Sequence, residues 1–90
     1  MTEPLAIDIQ ATPNPNAAKF TLNRAVAASG KTYREVATAD AEWAKQLLQI
    51  AGVTQVFAVN NFISVSKTPD AEWTNLVPEI ERILKRAFDG

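Results

Sequence analysis

Ninety residues, 47% of them hydrophobic and 21% charged, predict one domain spanning 1–90, near the size at which a single hydrophobic core suffices without staples. A net charge of −1 gives no electrostatic attraction toward nucleic acid or an anionic membrane, so neither is expected as a partner. With no Cys and no His in the chain, disulfides, a thiol nucleophile, imidazole acid–base chemistry and the usual metal ligands are all excluded.

Met1-Thr2-Glu3-Pro4 shows no basic region followed by an apolar run, and no apolar stretch approaches the roughly 20 residues of a membrane span; a cytoplasmic protein is expected. From Leu5 to Gln10 large apolar residues alternate with small or polar ones, which predicts a strand with Leu5, Ile7 and Ile9 on one buried face. Thr12-Pro13-Asn14-Pro15-Asn16 follows. Its two prolines fix φ near −65° and hold Thr12 and Asn14 extended, while Asn16 suits a left-handed or side-chain-bonded turn. This stiff connector feeds Ala18 to Asn23, where Phe20 and Leu22 alternate with Lys19 and Thr21, so an antiparallel hairpin is predicted.

Arg24 to Lys31 ends in Ser-Gly and reads as a loop with at most a turn of helix, and Thr32 to Val36 as a short edge strand. Asp40 is a good N-cap for a helix carrying Trp43, Ala44, Leu47, Leu48 and Ala51 at helical spacing, with Gly52 as its stop. Val53 to Val59 and Phe62 to Ser66, separated by Asn60-Asn61, predict a second tight hairpin; apolar residues on both faces of its first strand place it near the middle of a sheet. Asp70 starts a second amphipathic helix through Trp73, Leu76, Val77, Ile80, Ile83, Leu84 and Ala87, kinked by Pro78. Thr38-Ala39-Asp40-Ala41-Glu42-Trp43 echoes Thr68-Pro69-Asp70-Ala71-Glu72-Trp73, which shared helix-start chemistry explains better than duplication. The fold class is α+β: a small antiparallel or mixed sheet of about four or five strands, two hairpins among them, with two helices packed on it.

No enzyme is expected. Ser29, Ser64, Ser66 and Tyr33 have no His to activate them, and there is no Gly-rich phosphate loop. Thr12, Asn14, Asn16 and Lys19 have two readings: a turn whose amides satisfy its own backbone, or a preorganised partner-binding edge that offers donors and acceptors at little entropic cost. The two tryptophans read first as the start of packed helix faces and second as contact anchors.

Thr12-Pro13-Asn14-Pro15-Asn16 with Lys19-Phe20, then Gln46-Leu47-Leu48-Gln49-Ile50-Ala51-Gly52-Val53, Val56-Phe57, Asn61 to Lys67, and Trp73 with Leu76 and Pro78-Glu79-Ile80, resemble in order the N-terminal domain of the Nfu/NifU-like iron–sulfur scaffold proteins. The opening motif is the distinctive part. In that family the domain precedes a separate one whose Cys-x-x-Cys holds the cluster. The resemblance implies a stand-alone accessory domain, monomeric, that docks a Cys-x-x-Cys cluster carrier or an apo-client protein. No cofactor is expected on this chain, any iron–sulfur cluster being carried by the partner, since a cluster needs thiolates. Two alternatives stand beside it: a regulatory adaptor for peptides or phosphopeptides, capturing an extended segment or an anionic group near Lys19, and a domain that binds iron weakly through carboxylates.

Overall fold

A computed structural model of the protein describes residues 5–88; Met1 to Pro4, whose sequence predicts no targeting signal, lie outside them. Five strands form one antiparallel sheet: β1 (Ile7–Ala11), β2 (Ala17–Leu22), β3 (Ala27–Tyr33), β4 (Val53–Asn60) and β5 (Phe62–Lys67), in the order β1-β2-β5-β4-β3. Two helices, α1 (Glu42–Leu48) and α2 (Trp73–Phe88), cover one face. The α+β architecture with two hairpins is therefore as the sequence predicts, with the first hairpin laid beside β5 of the second.

The alternation of β2, β4 and β5 decides which face the helices take. Ala18, Phe20 and Leu22, Val56 and Ala58, and Ile63 and Val65 are buried and form one cluster with Ala44 and Leu47 of α1 and Leu76, Ile80, Ile83 and Leu84 of α2. The residues between them, Lys19, Thr21, Phe57, Val59, Phe62 and Ser64, lie half-buried on the opposite, uncovered face. There the Phe57 and Phe62 rings are 6.2 Å apart and the Lys19 ammonium sits 4.5 Å over the Phe62 ring.

Turn chemistry fixes the connections. Asn60 takes φ 53°, a left-handed conformation that asparagine tolerates, and closes the β4–β5 hairpin. That turn also clamps the rest of the sheet: the Asn60 carbonyl accepts from the Val26 N–H and the Asn61 carbonyl from the Leu22 N–H, each at 2.7 Å. Helix α1 ends at Leu48 with Gln49 as its C-cap, short of the expected stop at Gly52. Gly52 instead makes the turn into β4 at φ 99°, where a Cβ would lie 2.7 Å from that of Ala71, so only glycine fits.

Three local readings change. Ala27 to Lys31, expected as loop, belongs to strand β3, because pairing with β4 overrides the weak strand propensity of Ala-Ala-Ser-Gly; the mismatch is absorbed by a register slip between Ala27 and Lys31. Asp40 does not cap α1, whose N-cap is Ala41 with no side-chain bond. Its carboxylate instead accepts from the Lys31 ammonium and the Tyr33 hydroxyl, each at 2.9 Å, tying the β3 edge to the segment before α1. Ile9 shares a face with Ile7 but is 39% exposed, because β1 lies at the sheet edge beyond full cover by the helix layer. Helix α2 is continuous from Trp73 to Phe88 through Pro78, which sits on its exposed side and donates no backbone bond.

Candidate functional site

The Pro-Asn turn joining β1 to β2 is built from its own side chains. The Thr12 hydroxyl accepts from the Asn14 N–H at 3.2 Å and lies 2.9 and 3.0 Å from the Asn14 and Ala17 carbonyl oxygens, which share its single proton. Asn14 Oδ1 accepts from the Asn16 N–H at 2.9 Å, a side-chain turn of the kind Asn favours. Asn16 Oδ1 accepts from the Lys67 ammonium at 3.0 Å, while its backbone carbonyl takes the Lys67 N–H at 2.8 Å. From the other side the Trp73 indole N–H donates to the Pro15 carbonyl at 3.0 Å, and Lys67 lies 5.7 Å over the Trp73 ring. Thus β2, β5 and the start of α2 all anchor one loop.

Beside this turn lies a largely apolar groove of about 240 Å³, floored by Ala17 and Ala18 and walled by Ile9 and Ala11 on one side and Trp73 and Val77 on the other. Its polar end is formed by Thr12 and Asn14. This volume lies below the roughly 300–1,000 Å³ of small-molecule sites, so the groove suits side chains rather than a whole cofactor.

The structure brings Thr12 and Asn14 to the groove, keeps Asn16 behind it as the link to Lys67, and separates Lys19, which extends from the uncovered face of the sheet. Asn14 spends its side-chain oxygen on the turn, while its amide donor has no protein partner among the described residues. Sequence reasoning missed the apolar half of the site. The alternation places Ile9 in the core, and only the tertiary fold sets Val77 of α2 opposite Ala11; Trp73 as a contact anchor is the signal the sequence offers.

The site at the other end of the molecule is structural. Trp43 packs edge-on against Tyr33 at 5.7 Å and tilted against Phe88 at 5.6 Å, and the Arg24 guanidinium donates to the Phe88 carbonyl. Hydrogen bonds from Lys31 and then Tyr33 hold the Asp40 carboxyl below its ordinary range, and the same contact raises Lys31. Burial, followed by the bond to Asp40, pushes the Tyr33 phenol up. The Asp70 carboxyl, three residues ahead of α2, is lowered chiefly by a hydrogen bond from the Thr68 side chain. A shallow concavity of about 250 Å³ between the helices includes Arg82, already paired with Glu79 at 3.2 Å.

Comparison with known proteins decides the family. Residues 7–90 match the family model described as Scaffold protein Nfu/NifU N terminal. The chain belongs to the Nfu/NifU N-terminal family. It is 37% identical over 83 residues to Conserved virulence factor C of Staphylococcus aureus (strain MRSA252), covering 91% of this chain and 21% of that protein. It is 35% identical over 85 residues to the mitochondrial NFU1 iron-sulfur cluster scaffold homolog of Drosophila persimilis, covering 91% of this chain and 30% of that protein. The crystal structure of protein SAV1430 from Staphylococcus aureus superposes with a TM-score of 0.79 at 34% identity, covering 87% of this chain and 96% of that one. This Nfu-type domain thus spans under a third of the length of the curated relatives it matches.

An iron–sulfur cluster does not fit the side chains of this Nfu-type domain. The sequence offers neither thiolate nor imidazole, and among the described residues no three acidic groups come together as a metal site. No helix among the described residues is long and apolar enough to cross a membrane.

Proposed function

We propose that this domain is a non-catalytic partner-binding module of iron–sulfur cluster assembly or delivery, docking a Cys-x-x-Cys carrier or an apo-client through the Pro-Asn turn and the groove beside it. The observation that carries the reading is the coupling of a rigid, internally bonded turn to an apolar groove, with the Asn14 amide donors left facing out. Such a surface is preorganised, so little ordering entropy opposes docking. Family membership and the scaffold named in the Drosophila relative supply the pathway. In this reading Thr12 and Asn16 hold the loop, Asn14 donates to the partner, and Lys19 adds charge on the uncovered face. The cluster stays on the partner's thiolates, and a cytoplasmic, monomeric domain is part of the same proposal.

The test is a titration of isotope-labelled protein with a cluster-loaded carrier bearing Cys-x-x-Cys, together with cluster-transfer rates to an apo-client. Amide shifts confined to residues 9–18 and 73–77, with altered transfer, are expected. Absence of both shifts and rate changes overturns the reading.

A further inference from the structure

The groove runs beside a sheet edge whose backbone is unpaired, and the two features together specify the form of the ligand. In an antiparallel ladder, residues alternate between those whose N–H and C=O face the neighbouring strand and those whose groups face away. The Asn23 N–H donates to the Ala6 carbonyl at 3.2 Å, whereas the Leu22 N–H turns to Asn61 on the other side. With Ile7 opposite Leu22 and Ile9 opposite Phe20, this phase makes Ala6, Asp8 and Gln10 face β2. Ile7, Ile9 and Ala11 therefore direct their N–H and C=O groups outward, where no strand among the described residues follows. The same three residues carry their side chains on the helix-covered side. A strand laid against them would place every second side chain in the groove between Ile9, Ala11, Trp73 and Val77.

Charge specifies the other half of such a strand. Asp8, between the two outward-facing isoleucines, accepts from the Gln10 amide at 3.2 Å and from no other side chain among the described residues. Glu81 stands one helical turn beyond Val77 on the same face of α2. Neither carboxylate forms an ion pair among the described residues, but Glu81 shares a shallow concavity with Arg82 and Lys85, so Asp8 is the acidic group the open edge presents. The open edge thus carries one carboxylate, Asp8, with no ion-pair partner among the described residues, and side chains pointing away from the groove would stand across from it.

We propose that β1 accepts, as a sixth strand, an extended segment of a partner protein in which apolar side chains alternate with basic ones, the apolar set filling the groove beside α2. This deepens the partner-binding reading and rests on it. The probe is the blocked peptide acetyl-KVKLKVK-amide, titrated into the labelled protein.

Saturable shifts at residues 7–11 and 73–77 are expected. The acidic analogue acetyl-EVELEVE-amide should bind about tenfold more weakly or less. N-methylation of one alternate set of peptide residues should abolish binding while the other set leaves it, the apolar set if the added strand is antiparallel and the basic set if it is parallel. Ile9→Pro removes one outward N–H without touching the β1–β2 ladder, so it should lose the peptide while keeping its melting temperature within a few degrees of the parent. Equal binding of both N-methylated sets, equal binding of the acidic peptide, or shifts confined to the uncovered sheet face would each overturn the proposal. If the carrier still shifts the amides and alters cluster transfer when the peptides do not bind, only this inference falls. If the peptides bind and the carrier does not, the iron–sulfur reading falls instead.

Discussion

The two edges of this sheet are treated differently. At the β3 edge the register slips between Ala27 and Lys31, Gly30 packs under the Phe57 ring, and Lys31 and Tyr33 are tied to Asp40. A bulged, charged and tethered edge is poorly suited to accepting another strand. At the β1 edge, pairing with β2 is regular over all five residues, Ile9 is exposed, and a helix stands close enough to leave a groove. One sheet thus has a closed end and an open one. The difference teaches that the open end is not a failure of edge protection, because the same molecule protects the other end by three separate devices.

Four substitutions break or sharpen that contrast. The largest effect is expected from Trp73→Ala, which removes a wall of the groove and the indole bond to Pro15; a loss of about 2–3 kcal/mol in urea unfolding is expected, below the cost of a fully buried tryptophan because Trp73 is only half-buried. Unchanged stability would mean that α2 does not hold the turn. Thr12→Val keeps the shape of the side chain but strands the Asn14 N–H and the Ala17 carbonyl, and should cost about 1–2 kcal/mol by the same measurement.

Smaller effects test the closed edge through pH. The Asp40 carboxyl is lowered in the folded state, so its contribution is present above the unfolded value of roughly 3.9 and is lost as pH falls through the lower folded value. Lys31 is raised, so its contribution is present below its ordinary value of 10.5 and is lost as pH rises through the folded one. Asp40→Asn should therefore flatten the melting temperature profile at both the acid and the alkaline end; an unchanged acid limb would show that the β3 tether contributes nothing. The smallest change in stability, within about 0.5 kcal/mol, is expected for Ile9→Lys at the exposed middle of the open edge strand. That substitution should nonetheless remove binding of the basic peptide, and retained binding would place the contact elsewhere.

The echo between Thr38–Trp43 and Thr68–Trp73 shows how far sequence carried the reading. Both segments lead into helices, as their shared composition predicts. Their fates then diverge, since Asp40 goes to Lys31 and Tyr33 whereas Asp70 takes a bond from Thr68, and Trp43 stacks on rings whereas Trp73 donates to Pro15. The candidate site divides in the same way. Thr12 and Asn14 were legible because proline and asparagine act on their own backbone, within a few residues. Ile9 and Val77 were not, since nothing in an alternating strand or a helical stripe says where the helix layer stops short of the sheet edge.

By itself the sequence determined the α+β class, both hairpins, both helices, the stiffness of the Pro-Asn turn and the family to which that turn belongs. These follow from local rules, namely side-chain periodicity, proline geometry and the left-handed tolerance of Asn60. Tertiary structure alone decided that the expected edge strand starts at Ala27 and ends at Tyr33 rather than running from Thr32 to Val36, that β1 is an edge, and that Trp73 and Val77 face Ile9 and Ala11 across a groove. The physical reason is range. Strand order and edge exposure depend on which distant residues share one core, here Phe20 with Ile63 and Ile80, and no local pattern encodes that choice.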